Sequence, residues 1–211
     1  AHTYSRGDDQ FPSNAPPILS SGKGAYVYDT NGQEYLDYGM GLRSVNIGYG
    51  NKEVADAVYQ EILKGNNLTR ASLTELNAAE LIIDLIPSVE MVKFAKHGST
   101  VTTAAIKLAR AYTNRKYIAV PAEQPFFSFN DWFISSTEVK KGTLKETEHF
   151  TLKFNYNDIS SLEELYKKYP DQIAGVILEP ATSFIPCISG CQKINSCREC
   201  PDNGNTFLIQ V

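Results

Sequence analysis

The chain has 211 residues, enough for a real hydrophobic core in one or two domains, and its 42% hydrophobic and 21% charged residues are ordinary for a globular protein. The net charge of −4, with Lys140-Lys141 and Lys167-Lys168 as isolated basic pairs, argues against a nucleic-acid partner. No apolar run reaches bilayer-spanning length and Ala1 to Asp9 is polar, so the composition leads us to expect a cytoplasmic protein with no membrane partner.

From Ala1 to Ser21 the chain carries Pro12, Pro16 and Pro17 among polar residues and reads as an extended arm. A hairpin follows: Ala25 to Tyr28 and Glu34 to Tyr38 flank a turn containing Asn31-Gly32, the strongest short turn signal. Gly39, Gly41, Gly48 and Gly50 then punctuate a flexible stretch around Leu42-Arg43-Ser44. Asn51 is placed to cap a helix running to Lys64, with Val54, Val58 and Ile62 on one face and Gly65 at its end. Ser72 and Glu75 have the spacing of a capping box, opening a second helix with Leu76, Ala79, Ile83 and Ile86 turned inward and Pro87 ending it.

Alternation of strand and helix sets in from residue 92. Val92 to Ala95 reads as a buried strand, and Thr102 to Tyr112 as a helix with Ala104, Ala105, Leu108, Ala109 and Tyr112 at helical spacing. Tyr117 to Val120 is a second strand, Glu123 to Lys145 an irregular aromatic-rich segment, and His149 to Phe154 a third strand. Ser160 with Glu163 caps a helix to Lys168, and Ala174 to Leu178 is a buried strand ending at Glu179-Pro180. This alternation predicts an α/β domain with a mainly parallel sheet. Ligands in such sheets bind at the carboxyl ends of the strands, where Gly98-Ser99-Thr100, Glu123 to Ser128 and Glu179-Pro180 converge.

His97-Gly98-Ser99-Thr100, between strand and helix, is the most informative segment. A glycine-containing turn at a helix start offers free N–H groups and the positive end of the helix dipole, which suits a phosphate; a small hydroxyl residue adds an O–H donor. An ordinary β–α turn with Thr100 as N-cap is the alternative. All four cysteines come late, at Cys187, Cys191, Cys197 and Cys200, which fits a reducing compartment. Their spacing is tighter than in usual structural zinc sites and only the last pair is common, so a loop of reduced thiols is expected, with zinc as the alternative.

The residues also resemble a known family. Gly22-Lys23-Gly24-Ala25-Tyr26-Val27-Tyr28-Asp29, Asn31-Gly32 and Tyr35-Leu36-Asp37-Tyr38 are similar to the opening of class III pyridoxal-phosphate aminotransferases, above all the glutamate-1-semialdehyde aminomutase branch. Leu85 to Phe94, Ala105 to Thr113 and Ala174 to Pro180 continue the likeness in order, over about residues 1 to 186. The resemblance implies a fold-type I chain, with residues 1–50 as N-terminal arm and β-hairpin of a small domain and 51–211 as an incomplete large α/β domain. It implies pyridoxal 5'-phosphate as cofactor, a small amino substrate and a homodimer. By the same resemblance Gly98, Ser99 and Thr100 grip the cofactor phosphate, Phe126 stacks on its ring and Glu179 lies close to it. His97 replaces the family's usual serine or asparagine, and Phe127 its usual histidine. Arg43 is a candidate for holding a substrate carboxylate or phosphate by a bidentate pair, or else a plain surface arginine.

The resemblance places the cofactor's pyridinium-pairing aspartate and its Schiff-base lysine beyond Val211, and Lys93, Lys96 and Lys107 match no such lysine motif. The chain is therefore expected to be the first half of an aminotransferase or aminomutase, inactive by itself and without a catalytic lysine of its own. A non-catalytic truncated α/β module that binds a phosphate ligand or a partner chain is the second expectation.

Overall fold

The computed structural model describes residues 7, 10–65, 68–124, 126–182, 184–187 and 206–211. The chain divides into two compact units, Ala1–Ser88 and Val89–Val211.

In the first unit, β1 (Leu19–Lys23), β2 (Tyr26–Asp29) and β3 (Glu34–Leu36) form an antiparallel sheet in that order. The predicted hairpin pairs Tyr26 with Leu36 and Tyr28 with Glu34. Its turn is held by the Asp29 carboxylate, which accepts from the N–H groups of Asn31 (2.8 Å) and Gln33 (2.9 Å), while Gly32 takes a φ of +81° that disfavours a side chain. The end of the predicted arm is a strand: Leu19 to Lys23 pairs with β2. Leu-Ser-Ser-Gly-Lys carries no β-branched or alternating pattern, so only the exposed edge of the hairpin makes it a strand.

The glycine-rich stretch is a fixed turn. Met40, Gly41, Leu42 and Arg43, labelled α1 (Met40–Arg43), all have positive φ, between 42° and 69°. Left-handed backbone costs about 1–2 kcal/mol per L-residue, so the turn needs an external hold. Asp37 supplies it, accepting from the N–H groups of Gly39 (2.8 Å) and Met40 (3.1 Å) and from the Tyr49 hydroxyl (2.6 Å). These donors, the Tyr49 hydroxyl foremost, hold the Asp37 carboxyl below the ordinary aspartate value of 3.8. A depressed folded-state value means that the stabilisation is complete above 3.8 and is lost as pH falls through the lower, folded value. The carboxyl carbon of Asp37, followed by NMR, should titrate below 3.8 and move back up in Tyr49→Phe. An unmoved midpoint in that variant would assign the hold to the backbone donors alone.

Helices α2 (Lys52–Leu63) and α3 (Leu73–Leu85) start where the caps predict. Asn51 accepts from Val54 N–H at 3.1 Å. Ser72 and Glu75 exchange hydrogen bonds at 3.2 and 2.8 Å. Their apolar residues are not turned into a core, however. Val54, Val58, Ile62 and Leu76 each remain about half exposed and neither helix buries a residue. Capping is satisfied within a few residues of chain, whereas burial requires a second element to cover the stripe.

The second unit contains α4 (Gly98–Thr113), β4 (Tyr117–Pro121), α5 (Asp131–Ile134), a 3₁₀ turn (Lys145–Thr147), β5 (Thr151–Phe154), α6 (Ile159–Lys168), β6 (Ile173–Val176) and α7 (Thr206–Gln210). The sheet is parallel, with β4 between β5 and β6. Ile118, Ala119 and Val120 of β4 are wholly buried, as a central parallel strand covered on both faces requires. Ile118 and Val120 face a cluster with Ile106, Phe127, Trp132 and Phe133; Ala119 faces the opposite one, with Phe154, Tyr156, Leu162, Ile173 and Phe207.

Three local readings are corrected. Val92 to Ala95 forms no strand, because none of the described segments pairs with its backbone and a strand exists only through such pairing. Helix α4 begins at Gly98, with His97 as the N-cap residue and Thr100 inside the first turn, so Thr100 is not the cap. Asp158, not Ser160, caps α6, accepting from Ser161 N–H at 3.3 Å.

Candidate functional site at the carboxyl edge of the parallel sheet

The C-terminal ends of β4 and β6 and the mouth of α4 meet through side chains that act as clamps. Gln124, just past β4 and buried, donates from Nε2 to the Glu179 carbonyl (2.6 Å) and accepts from Glu179 N–H at Oε1 (2.8 Å). This reciprocal pair fixes the end of the β6 strand segment against the β4 loop. Glu123 adds a second tie, its Oε2 accepting from Tyr156 N–H at 2.9 Å, and the Tyr156 hydroxyl reaches the Pro180 carbonyl. The Tyr156 hydroxyl is pushed up from its ordinary value by burial. Glu179 itself is half-buried, and its carboxylate has no hydrogen-bond partner among the described residues.

At the mouth of α4 the backbone is extended at His97 (φ −149°, ψ 162°) and helical from Gly98. Thr100 and Val101 donate their N–H groups to the His97 carbonyl at 3.1 and 3.2 Å. The N–H groups of Gly98 and Ser99 are left without a partner among the described residues, as helix geometry demands of the first turn. A Cβ added at Gly98 would meet nothing within 4 Å, so neither backbone angle nor packing requires glycine there; its effect is to leave the approach to the two amides open.

The two hydroxyls of this turn differ. Thr100 is exposed, with Oγ1 3.2 to 3.3 Å from the His97 ring nitrogens. Ser99 is buried, and its Oγ accepts from Phe129 N–H at 3.2 Å. Ser99 therefore faces the protein, where it joins a network the sequence did not announce. Thr102 Oγ1 donates to the Phe127 carbonyl (3.0 Å), and Thr103 Oγ1 accepts from Asn130 Nδ2 (2.8 Å) and Trp132 Nε1 (2.9 Å). These bonds lash segment 127–132 to the first two turns of α4.

That lashing sets the two phenyl rings apart. Phe127 is core, edge-on to Phe133 at 5.4 Å. Phe126 also meets Phe133 edge-on, at 6.1 Å, but keeps 41% of its surface exposed. The structure thus brings Gly98, Ser99, Thr100, Phe126 and Glu179 to one end of one unit. Arg43 belongs to the first unit, where it is exposed with a φ of +69°. Cys187 donates its backbone N–H to Asn157 Oδ1 at 2.7 Å, whereas Cys191, Cys197 and Cys200, and with them the zinc alternative, lie outside the described residues. Among the described residues no helix is long and apolar enough to cross a membrane.

An α/β unit with a parallel sheet in the order β5-β4-β6 is the arrangement of fold-type I transferases. The sequence model described as aminotransferase class-III matches residues 9–187, and the chain belongs to that family. It is 34% identical over 174 residues to the glutamate-1-semialdehyde 2,1-aminomutase of Aquifex aeolicus, covering 78% of this chain and 41% of that protein. It is 32% identical over 206 residues to glutamate-1-semialdehyde 2,1-aminomutase 2 of an Exiguobacterium species, covering 92% and 47%. Among solved structures, an omega-transaminase from Sphaerobacter thermophilus matches with a TM-score of 0.74 at 26% identity, over 81% of this chain and 42% of its own. The FumI protein of Sphingopyxis sp. MTA144, described in its PLP internal aldimine form, matches with a TM-score of 0.76 at 27% identity, over 83% and 41%. The chain spans less than half the length of these relatives.

Proposed function

We propose that this chain is the phosphate-gripping and ring-supporting part of a pyridoxal-phosphate-dependent aminotransferase or 2,1-aminomutase acting on a small amino compound, similar to the glutamate-1-semialdehyde aminomutases. The observation that carries this reading is the pair of amides of Gly98 and Ser99, without a partner among the described residues, at the same end of the unit as the exposed ring of Phe126 and the Glu179 carboxylate, which is also unpaired among the described residues. The residues fit the group: two N–H donors at the positive end of a sixteen-residue helix suit a phosphate dianion, and nothing overhangs Gly98.

Pyridoxal phosphate, when bound, supplies the electron sink that eases proton loss from the carbon bearing the amine. The chain's own residues do the holding. The amides of Gly98 and Ser99, joined by the Thr100 hydroxyl, bind the phosphate. Phe126 orients the ring through its exposed face and excludes water from one side of it. Glu179, fixed by Gln124, presents negative charge at the same edge. Arg43, whose guanidinium has no partner among the described residues, holds a substrate carboxylate by a two-pronged hydrogen bond. We place the protein in the cytoplasm as a homodimer, with residues 1–50 contributing to a small domain and 51–211 to the large one.

The test compares binding of pyridoxal phosphate with that of phosphate-free pyridoxal in the polypeptide carrying this chain, before and after Thr100→Asp. An aspartate in the first helical turn favours the helix, so the fold is retained, while its charge opposes a phosphate. Affinity for pyridoxal phosphate should fall about tenfold or more, equivalent to about 1.4 kcal/mol, with pyridoxal unaffected. Equal changes for both compounds, or no change for either, would remove the phosphate from this turn.

A further inference from the structure

Lys153 is used by nothing described above, and its surroundings are unusual. It lies on β5, half-buried, with its ammonium 4.8 Å from the centre of the Phe133 ring. Among the described residues none of the ion pairs includes it and its Nζ makes no hydrogen bond. The carbonyls of α5 each accept a hydroxyl group: Asp131 from Ser135, Trp132 from Thr151, Phe133 from Ser136 (2.7 Å) and Ile134 from Thr137 (2.8 Å). Of the two carboxylates that line the same cleft, Glu148 is paired with Lys140 at 2.9 Å and Glu138 is exposed.

Lys153, His149 and the Lys140–Glu148 pair, together with the Ser135 to Thr137 hydroxyl ladder, line one polar cleft of about 300 Å³. A half-buried cation with no hydrogen-bonded or ion-paired partner among the described residues can take an anion from outside. An aromatic face compensates only part of its lost hydration. We propose that this cleft is a subsite for a small oxyanion, a phosphate or carboxylate group, held by the Lys153 ammonium and separate from the Gly98 turn. His149 lines the same cleft, and Glu138, exposed at the rim, limits the size and charge of what enters. Burial lowers the Lys153 amine from its ordinary value, which is the expected state of an ammonium without its counter-ion.

An anion seated on Lys153 must raise that value again. The whole chain carrying ¹³C-methylated lysines, with the Lys153 signal assigned by its loss in Lys153→Arg, is titrated with pH in chloride, inorganic phosphate and acetate at matched ionic strength. The midpoint of Lys153 should rise by about one pH unit in phosphate or acetate relative to chloride, and the anion that moves it identifies the source. The rise should persist in Thr100→Asp, which opposes anions at the helix mouth. Identical midpoints in all three salts, or a rise abolished by Thr100→Asp, would overturn the subsite.

Discussion

Replacement of Phe133 by alanine should destabilise the second unit by about 3–5 kcal/mol, the range for deleting a fully buried aromatic ring. Phe133 is completely buried and stands at the junction of the aromatic cluster. Its ring lies 5.4 Å from Phe127, 6.1 Å from Phe126 and 5.7 Å from Trp132, and carries the Lys153 ammonium on its face. A cavity there removes the back support of Phe126, the ring we assign to the cofactor. Phe133→Leu separates the two contributions: it keeps most of the apolar volume but loses edge-on ring contacts worth about 0.5–1.5 kcal/mol each. Chemical denaturation of the two variants checks this. If alanine and leucine cost the same, the ring geometry contributes nothing and filled volume alone holds the segment.

How much of this was readable in the chain depended on range. Asn31-Gly32, Asn51 and the Ser72–Glu75 pair are signals whose partners lie within four residues, and each forms as read. The core of the second unit was readable too, because a central parallel strand is apolar throughout and Ile118-Ala119-Val120 says so without context. Features that failed were those whose meaning lies elsewhere in the chain. Val92 to Ala95 has the composition of a strand but no described neighbour, and Leu19 to Lys23 has the neighbour without the composition. The apolar stripes of α2 and α3 have correct spacing and nothing described covers them. At the candidate site, the convergence of the Gly98 turn, the Glu123 to Ser128 segment and Glu179 was readable because strand ends in an α/β alternation meet, while the roles of Phe126 and Glu179 rest on the family resemblance. The parts that hold them were not. Gln124 reads as any loop amide, and Thr103 as one more residue of a helix face, until the chain brings Glu179 and Trp132 to them across 55 and 29 residues.

Thr103 gives the sharper test, because it changes hydrogen bonding with little change of shape. Its hydroxyl accepts from both Trp132 Nε1 and Asn130 Nδ2, and in Thr103→Val both donors lose their acceptor. Trp132 is buried, so water replaces the lost partner poorly. An unsatisfied buried donor costs about 1–3 kcal/mol, and two partly relaxed ones should together cost about 2–4 kcal/mol. Thr103→Ser restores the acceptor and gives up one methyl group, about 0.8 kcal/mol, so serine should recover most of the loss. Trp132 is the only tryptophan of the chain, which makes its fluorescence a direct report on this bond. Emission should shift to the red in the valine variant under native conditions and return in the serine variant. The same change removes two of the ties between segment 127–132 and α4, leaving those of Ser99 and Thr102, so the adjoining Phe126 is held less firmly. Binding of pyridoxal phosphate should therefore weaken in Thr103→Val although Thr103 touches no part of the proposed cofactor site. Equal stability of the valine and serine variants would show that the methyl, and not the hydroxyl, ties the aromatic segment to the helix.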